Sequence, residues 1–113
     1  MTNYQTGHDA EKVAAEYLVD NGFKIVVLNW RTPVCEIDIV AEKNRLIYFI
    51  EVKYRTNNSQ GTGLDYITPK KLKQMEFSAK CWVEDQKYSG DYRLGVISIT
   101  SDFKVDDFID DIE

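Results

Sequence analysis

Two apolar stretches of this chain carry charges where charges are costly. Residues 37–41 and 46–52 are built from Ile, Val, Ala, Leu, Tyr and Phe, yet Asp38 and Glu51 lie within them and Glu36 and Lys53 at their margins. A charge in a buried strand has to be paired or bound to a metal ion. Only Glu42-Lys43-Asn44-Arg45 separates the two stretches, which predicts two strands joined by a tight hairpin. Side chains alternate across a strand, so Glu36 and Asp38 share one face and Glu51 and Lys53 share one face. If Asn44-Arg45 is the turn, Asp38 falls opposite Glu51 and Glu36 opposite Lys53. If the turn is Lys43-Asn44, Asp38 is diagonal to Glu51. Both registers bring Asp38 and Glu51 within reach of one cation, whereas a three-residue loop without a bulge would separate them. Carboxylates without a His or Cys set suit Mg²⁺ or Mn²⁺. Such an ion can bind a phosphodiester oxygen and lower the pKa of a bound water, and a lysine two residues past the second acid can orient that water or stabilise phosphate charge. These parts fit metal-assisted phosphodiester hydrolysis. The alternative for the same four residues is a cross-strand salt-bridge set on a solvated face.

The elements that must position this cluster are legible on either side. Ala10, Val13, Ala14, Tyr17 and Leu18 recur at helical spacing, with a capping-box-like Thr6 and Asp9 before them and Asn21-Gly22 after them. Glu11 lies at the margin of that helix's apolar face and can also be a solvated first-turn acid. Residues 23–29 predict a strand and Trp30-Arg31-Thr32-Pro33 a turn. Residues 55–66 predict a mobile polar loop, too weak a Gly61-x-Gly63 signal for a nucleotide cradle. Thr68-Pro69 opens a helix to about Lys87, with Leu72, Met75, Ala79, Trp82 and Val83 on one face. Lys73, Lys80 and Lys87 run along its flank from Lys70 and Lys71, as a solvated row or as a phosphate track. A strand over 94–99 follows. Phe103, Val105, Phe108, Ile109 and Ile112 then predict a last strand, a short docked helix or a frayed end. The order α-β-β-β-α-β predicts an α/β sandwich with a mixed sheet.

The length of 113 residues suits one domain, expected over residues 1–101 with an acidic tail over 102–113. The net charge of −5 argues against a nucleic-acid partner until it is located. Residues 102–113 hold six acids against one base, so residues 1–101 are balanced. No stretch is long and apolar enough for a membrane span, and residues 1–9 lack the pattern of a signal peptide, so a cytoplasmic protein is expected. Cys35 and Cys81 form no CxxC pair and are expected as buried thiols. His8, the single histidine, supports no nucleophilic triad and is expected to be solvated.

The ordered set Gly7-x-x-Ala10-Glu11-x-x-Ala14, Tyr17-Leu18, Gly22-Phe23-x-Ile25, Asn29-Trp30-Arg31, Glu36-Ile37-Asp38, Phe49-Ile50-Glu51-Val52-Lys53-x-Arg55, Thr68-Pro69-Lys70 and Tyr92-Arg93 resembles the YraN-like family of restriction-endonuclease-like proteins, over roughly residues 6–100. The resemblance implies a PD-(D/E)xK nuclease fold, a central four-stranded mixed β-sheet flanked by helices. It implies that Asp38, Glu51 and Lys53 match the metal-nuclease core and that Glu11 matches an extra acid on the first helix. The chain departs from the pattern at Cys35, where glycine is usual, at Ala10, the second glycine of the N-terminal motif, and at Gly95, where an acid that could support the site is usual.

The leading expectation is therefore a Mg²⁺- or Mn²⁺-dependent nuclease acting on DNA, on branched or single-stranded repair and recombination intermediates. Asp38, Glu51 and Glu11 would hold metal and Lys53 would position water or phosphate. Arg31, Arg55, Lys70, Lys73 and Lys80 would contact the DNA backbone. Nucleases of this fold often act as dimers, which makes a homodimer an expectation too. The alternatives are a catalytically dormant nucleic-acid-binding protein and an interaction or immunity module that uses its acidic tail.

Overall fold

The computed structural model describes residues 3–55 and 67–112, with side chains described from Gly7 onward. The predicted loop, including Gly61 and Gly63, lies almost wholly outside them. The chain runs α1 (Asn3–Asp20), β1 (Lys24–Arg31), β2 (Glu36–Lys43), β3 (Leu46–Tyr54), α2 (Pro69–Gln86), β4 (Tyr92–Ile99) and β5 (Val105–Ile109). The expected α-β-β-β-α-β order is present and continues into a fifth strand.

The helix ends follow from local chemistry. Gly22 takes φ 89° after α1, and the amides of Gly22 and Phe23 bond the carbonyls of Val19 and Leu18 at 3.1 and 2.9 Å. This pair of bonds satisfies two orphan carbonyls at a left-handed glycine. α1 opens at Asn3, before the expected cap at Thr6, because residues 3–5 contain nothing that stops a helix. At α2 the Thr68 hydroxyl accepts from the Lys71 amide at 3.1 Å and Pro69 takes the first helical position, as expected.

The strands form one mixed sheet in the order β1-β2-β3-β4-β5. β3 and β4 are parallel and the other neighbours antiparallel, so α2 lies on the crossover between β3 and β4. α1 supplies Ala10, Ala14 and Leu18 to one core cluster with Ile39, Ile50, Ile97 and Ile99. α2 supplies Met75, Ala79 and Trp82 to the other with Val40, Phe49 and Leu94. Edge-on aromatic contacts tie both cores, Phe23 with Tyr48 and Phe108 on the first side and Phe49 with Trp82 and Tyr92 on the second.

One sequence expectation gives way here, and of the alternatives left open for the tail the last strand is the one present. Trp30 and Arg31 do not turn. They continue β1 and pair with Ile37 and Glu36, and the turn comes at Thr32, whose hydroxyl accepts from the amides of Val34 and Cys35 at 3.2 Å. The tail contains β5, which pairs with β4, while Phe103 and Phe108 pack on the α1-side core and Ile112 on the other. A Cβ at Gly95 would lie 2.8 Å from the Ile109 carbonyl, so the glycine found in place of the expected acid is what lets β5 and the chain after it close on β4. Among the described residues no helix is long and apolar enough to cross a membrane.

Candidate metal and nucleic-acid site

The β2–β3 hairpin turns at Asn44 and Arg45, both left-handed with φ 53° and 67°. This is the primed turn that two-residue hairpins favour. Lys43 faces Leu46 and Ile39 faces Ile50. Continuing that register brings Asp38 opposite Glu51, the first of the two arrangements the sequence allows.

The ladder changes character at Asp38. Its Oδ2 accepts the Val52 amide at 2.8 Å, so a side chain continues the cross-strand bonding past the last backbone pair. Ile37 packs with the α2-side core and Ile39 with the α1-side core, although residues two apart in a regular strand share a face. The neighbouring strand keeps its register at this level but departs from extended backbone. Asn29, flanked by the pairs Leu28–Ile39 and Trp30–Ile37, has φ 52°. Its amide donates to Glu11 Oε1 at 2.5 Å. The irregularity thus leaves Asp38 between an acid brought by α1 and an acid brought by β3.

Glu51 points to the α2 side. Its Oε2 lies 2.9 Å from Lys71 Nζ and 3.4 Å from Lys53 Nζ. Asp38 has no such cation among the described residues. Burial, followed by the charge of Glu51, pushes its carboxyl up to about 7, and Glu11 and Glu36 push the same way against the Val52 amide. Burial also raises Glu11, opposed by the Asn29 hydrogen bond. Asp38, Glu51 and Glu36 line one small recess with Met75 and Ser78. Beside it opens a cleft of about 690 Å³, walled by Val34, Lys70, Lys73 and Phe77 and reaching Glu51.

The other expected site residues divide. Lys70, Lys73 and Lys80 are exposed along α2, with the first two on the cleft. Arg31 is exposed and its Nε lies 3.5 Å from Glu36 across the β1–β2 pair, so Glu36 engages Arg31 rather than Lys53. Arg55 does not present itself to a phosphate. It is 7% exposed, and its guanidinium pairs with Asp106 of β5. Lys71 and Asn29 were visible in the sequence, but pattern reasoning missed their contacts with Glu51 and Glu11. Thr68 as the N-cap fixes the phase of α2 and was the one available signal for Lys71. An Asn within a β-branched strand is a weak signal for left-handed backbone, but nothing local ties it to Glu11. Cys35 and Cys81 are half-buried rather than buried, and the hydrogen bond that the Cys81 thiol donates to Cys35 raises its pKa.

A metal ion can be tested against this donor set. Among the described residues, no three His, Cys, Asp or Glu side chains are already arranged to hold an ion. Asp38 and Glu51 are nevertheless all-oxygen donors, and Asp38 carries an excess of neighbouring negative charge. Mg²⁺ is commonly held by one or two carboxylates while keeping several waters, so the pair fits that ion.

A sequence profile of one protein family covers residues 10–99, from within α1 to the end of β4. The chain belongs to the uncharacterised protein family UPF0102. A UPF0102 protein of Vibrio campbellii is 36% identical over 98 residues, covering 84% of this chain and 80% of the relative. One of Cytophaga hutchinsonii is 34% identical over 102 residues, covering 90% of each. One of Fusobacterium nucleatum is 36% identical over 94 residues, covering 83% of this chain and 78% of the relative. The UPF0102 span includes Glu11, Asn29, Asp38, Glu51, Lys53 and Lys71 and stops before β5.

Proposed function

We propose that this UPF0102 chain is a metal-dependent nuclease that hydrolyses phosphodiester bonds in DNA, with the PD-(D/E)xK-type core that its sequence resembles. The observation that carries the reading is the placement of Asp38 opposite Glu51 across the β2–β3 hairpin, in one recess beside a cleft walled by lysines, where burial and the facing acid raise the Asp38 carboxyl. Isolated structural carboxylates are seldom held in this way, whereas catalytic sites collect such groups.

A bound Mg²⁺ or Mn²⁺ would supply Lewis-acid activation of water and neutralisation of phosphate charge. Asp38 and Glu51 would hold it. Glu11, kept by Asn29 on the far side of Asp38, would hold it or a second ion. Lys53 and Lys71 keep the Glu51 carboxylate oriented and place positive charge where a phosphate would approach. Lys70, Lys73, Lys80 and Arg31 would bind the DNA backbone. Arg55 leaves that set, because it is committed to β5.

The test is cleavage of labelled single-stranded, duplex and branched DNA by purified protein with Mg²⁺ or Mn²⁺. Asp38→Asn and Glu51→Gln are expected to lower the rate at least a hundredfold, and Lys53→Ala about tenfold or more. Full activity in both acid variants would overturn the proposal, as would failure to cleave any of these substrates with either metal. A second reading, a dormant nucleic-acid-binding protein, is favoured by one observation: Glu51 already has two lysines as partners. DNA binding in EDTA that ignores Glu51→Gln, with no cleavage, would select it.

A further inference from the structure

The cleft beside the acids has a wall that neither a metal ion nor a phosphate needs. Phe77 on α2 is 52% exposed and Val34, in the turn before β2, is 72% exposed, and both line it. Neither is a loose surface residue. Phe77 sits on the helix turn above the buried Met75, Ser78 and Ala79, and the Val34 turn is closed by the Thr32 hydroxyl. Lys70, Lys73 and Phe77 are spaced i, i+3, i+7 and so share one face of α2. That face sets two ammonium groups, then a phenyl ring, along a cleft that Glu51 also lines.

Duplex DNA offers such a wall phosphates, sugars and base edges but no free base face, because its bases are stacked on one another. An aromatic face beside ammonium groups is complementary to an unpaired nucleotide, whose base can stack while its flanking phosphates meet the amines. The cleft volume of about 690 Å³ lies in the range of small-ligand sites and has room for such a group. We propose that this cleft binds an unpaired nucleotide of single-stranded DNA, with Phe77 as the stacking platform and Lys70 and Lys73 on the adjoining phosphates. The proposal deepens the nuclease reading by naming its substrate class: single strands, or single-stranded branches, in preference to uninterrupted duplex.

Binding can be read without turnover. In EDTA, fluorescence anisotropy of the full chain with labelled oligodeoxythymidine and with a blunt duplex of equal length gives both affinities. The single strand is expected to bind about tenfold more tightly. Phe77→Ala should lose about tenfold on the single strand and leave the duplex unchanged, and Phe77→Trp should retain single-strand binding. Equal loss on both ligands, an unchanged Phe77→Ala, or no single-strand binding by the wild type would overturn the proposal. The last outcome would leave the apolar wall to a protein partner. Failure here is distinct from failure of the nuclease reading. Cleavage that depends on Asp38 but not on Phe77 would remove the cleft proposal alone. A single-strand preference set by Phe77, with no cleavage under any metal, would remove the nuclease alone.

Discussion

Asp38 concentrates the strain of the site in one carboxyl. It is partly buried, faces Glu51 and is reached by the fields of Glu11 and Glu36, and among the described residues its supporting donor is the Val52 amide. The folded protein therefore keeps a proton on it up to about pH 7, whereas an unfolded chain releases that proton near 3.8. Between those limits the folded state binds more protons than the unfolded state, so this group makes stability fall as pH rises. Raised Glu11 acts in the same direction. Metal-free protein in EDTA should thus lose stability from pH 5 to 8. Asp38→Asn should flatten that slope and, at pH 8, stabilise the fold by as much as a few kcal/mol. Urea unfolding of both proteins at the two pH values checks this, and an identical slope in the variant would contradict it. Lys71 belongs to the same scale. It lies 2.9 Å from Glu51, closer than the sequence-evident Lys53. Lys71→Met is expected to lower cleavage about tenfold while leaving the urea midpoint nearly unchanged, since a partly exposed ion pair adds little to stability.

At the scale of elements, what the sequence disclosed and what it hid follow from how local each cause is. The hairpin was legible because strand period and turn chemistry lie within a few residues, and they brought Asp38 to Glu51 correctly. Helix α2 was legible from Thr68, Pro69 and its apolar spacing. The Asn29–Glu11 contact and the strand break at Asp38 were hidden, because they arise from the meeting of three elements. Arg55 was hidden for the same reason. It stands two residues after Lys53 in a run that resembles a nuclease motif, and its partner Asp106 arrives from 51 residues later. Acids interleaved with Phe, Val and Ile left the tail open between a last strand, a docked helix and a frayed end; β5 covers the edge of β4, and Phe108 within it and Phe103 before it pack on the core. Two outcomes are expected. Asp106→Ala should cost about 2 kcal/mol in urea unfolding, because it strips a partner from a buried guanidinium. Deleting residues 102–113 should abolish cooperative thermal unfolding. A truncated chain that still melts cooperatively would show β5 to be dispensable.

For the whole molecule, a net charge of −5 is a poor guide to the face that meets a ligand. Part of the tail's acidity is met within the fold, Asp106 by Arg55, Asp111 by Arg93 at 3.4 Å and Asp102 by Lys104 at 3.9 Å. β5 also lies two strands from β3, which carries Glu51. At about 4.8 Å per strand that separation is near the Debye length at 0.1 M salt. Physiological salt therefore weakens the tail's repulsion at the cleft, while direct amine–phosphate contacts remain in force. DNA affinity should then be governed by the lysines of α2 and not by the sum of charges. Log affinity for oligodeoxythymidine should fall linearly with log salt concentration. Lys70→Gln and Lys73→Gln should each reduce the slope by roughly one unit, whereas Asp110→Asn, past the end of β5, should leave it unchanged. A slope that ignores both lysines but steepens with Asp110→Asn would mean that the tail, and not the cleft, sets how this molecule meets a polyanion.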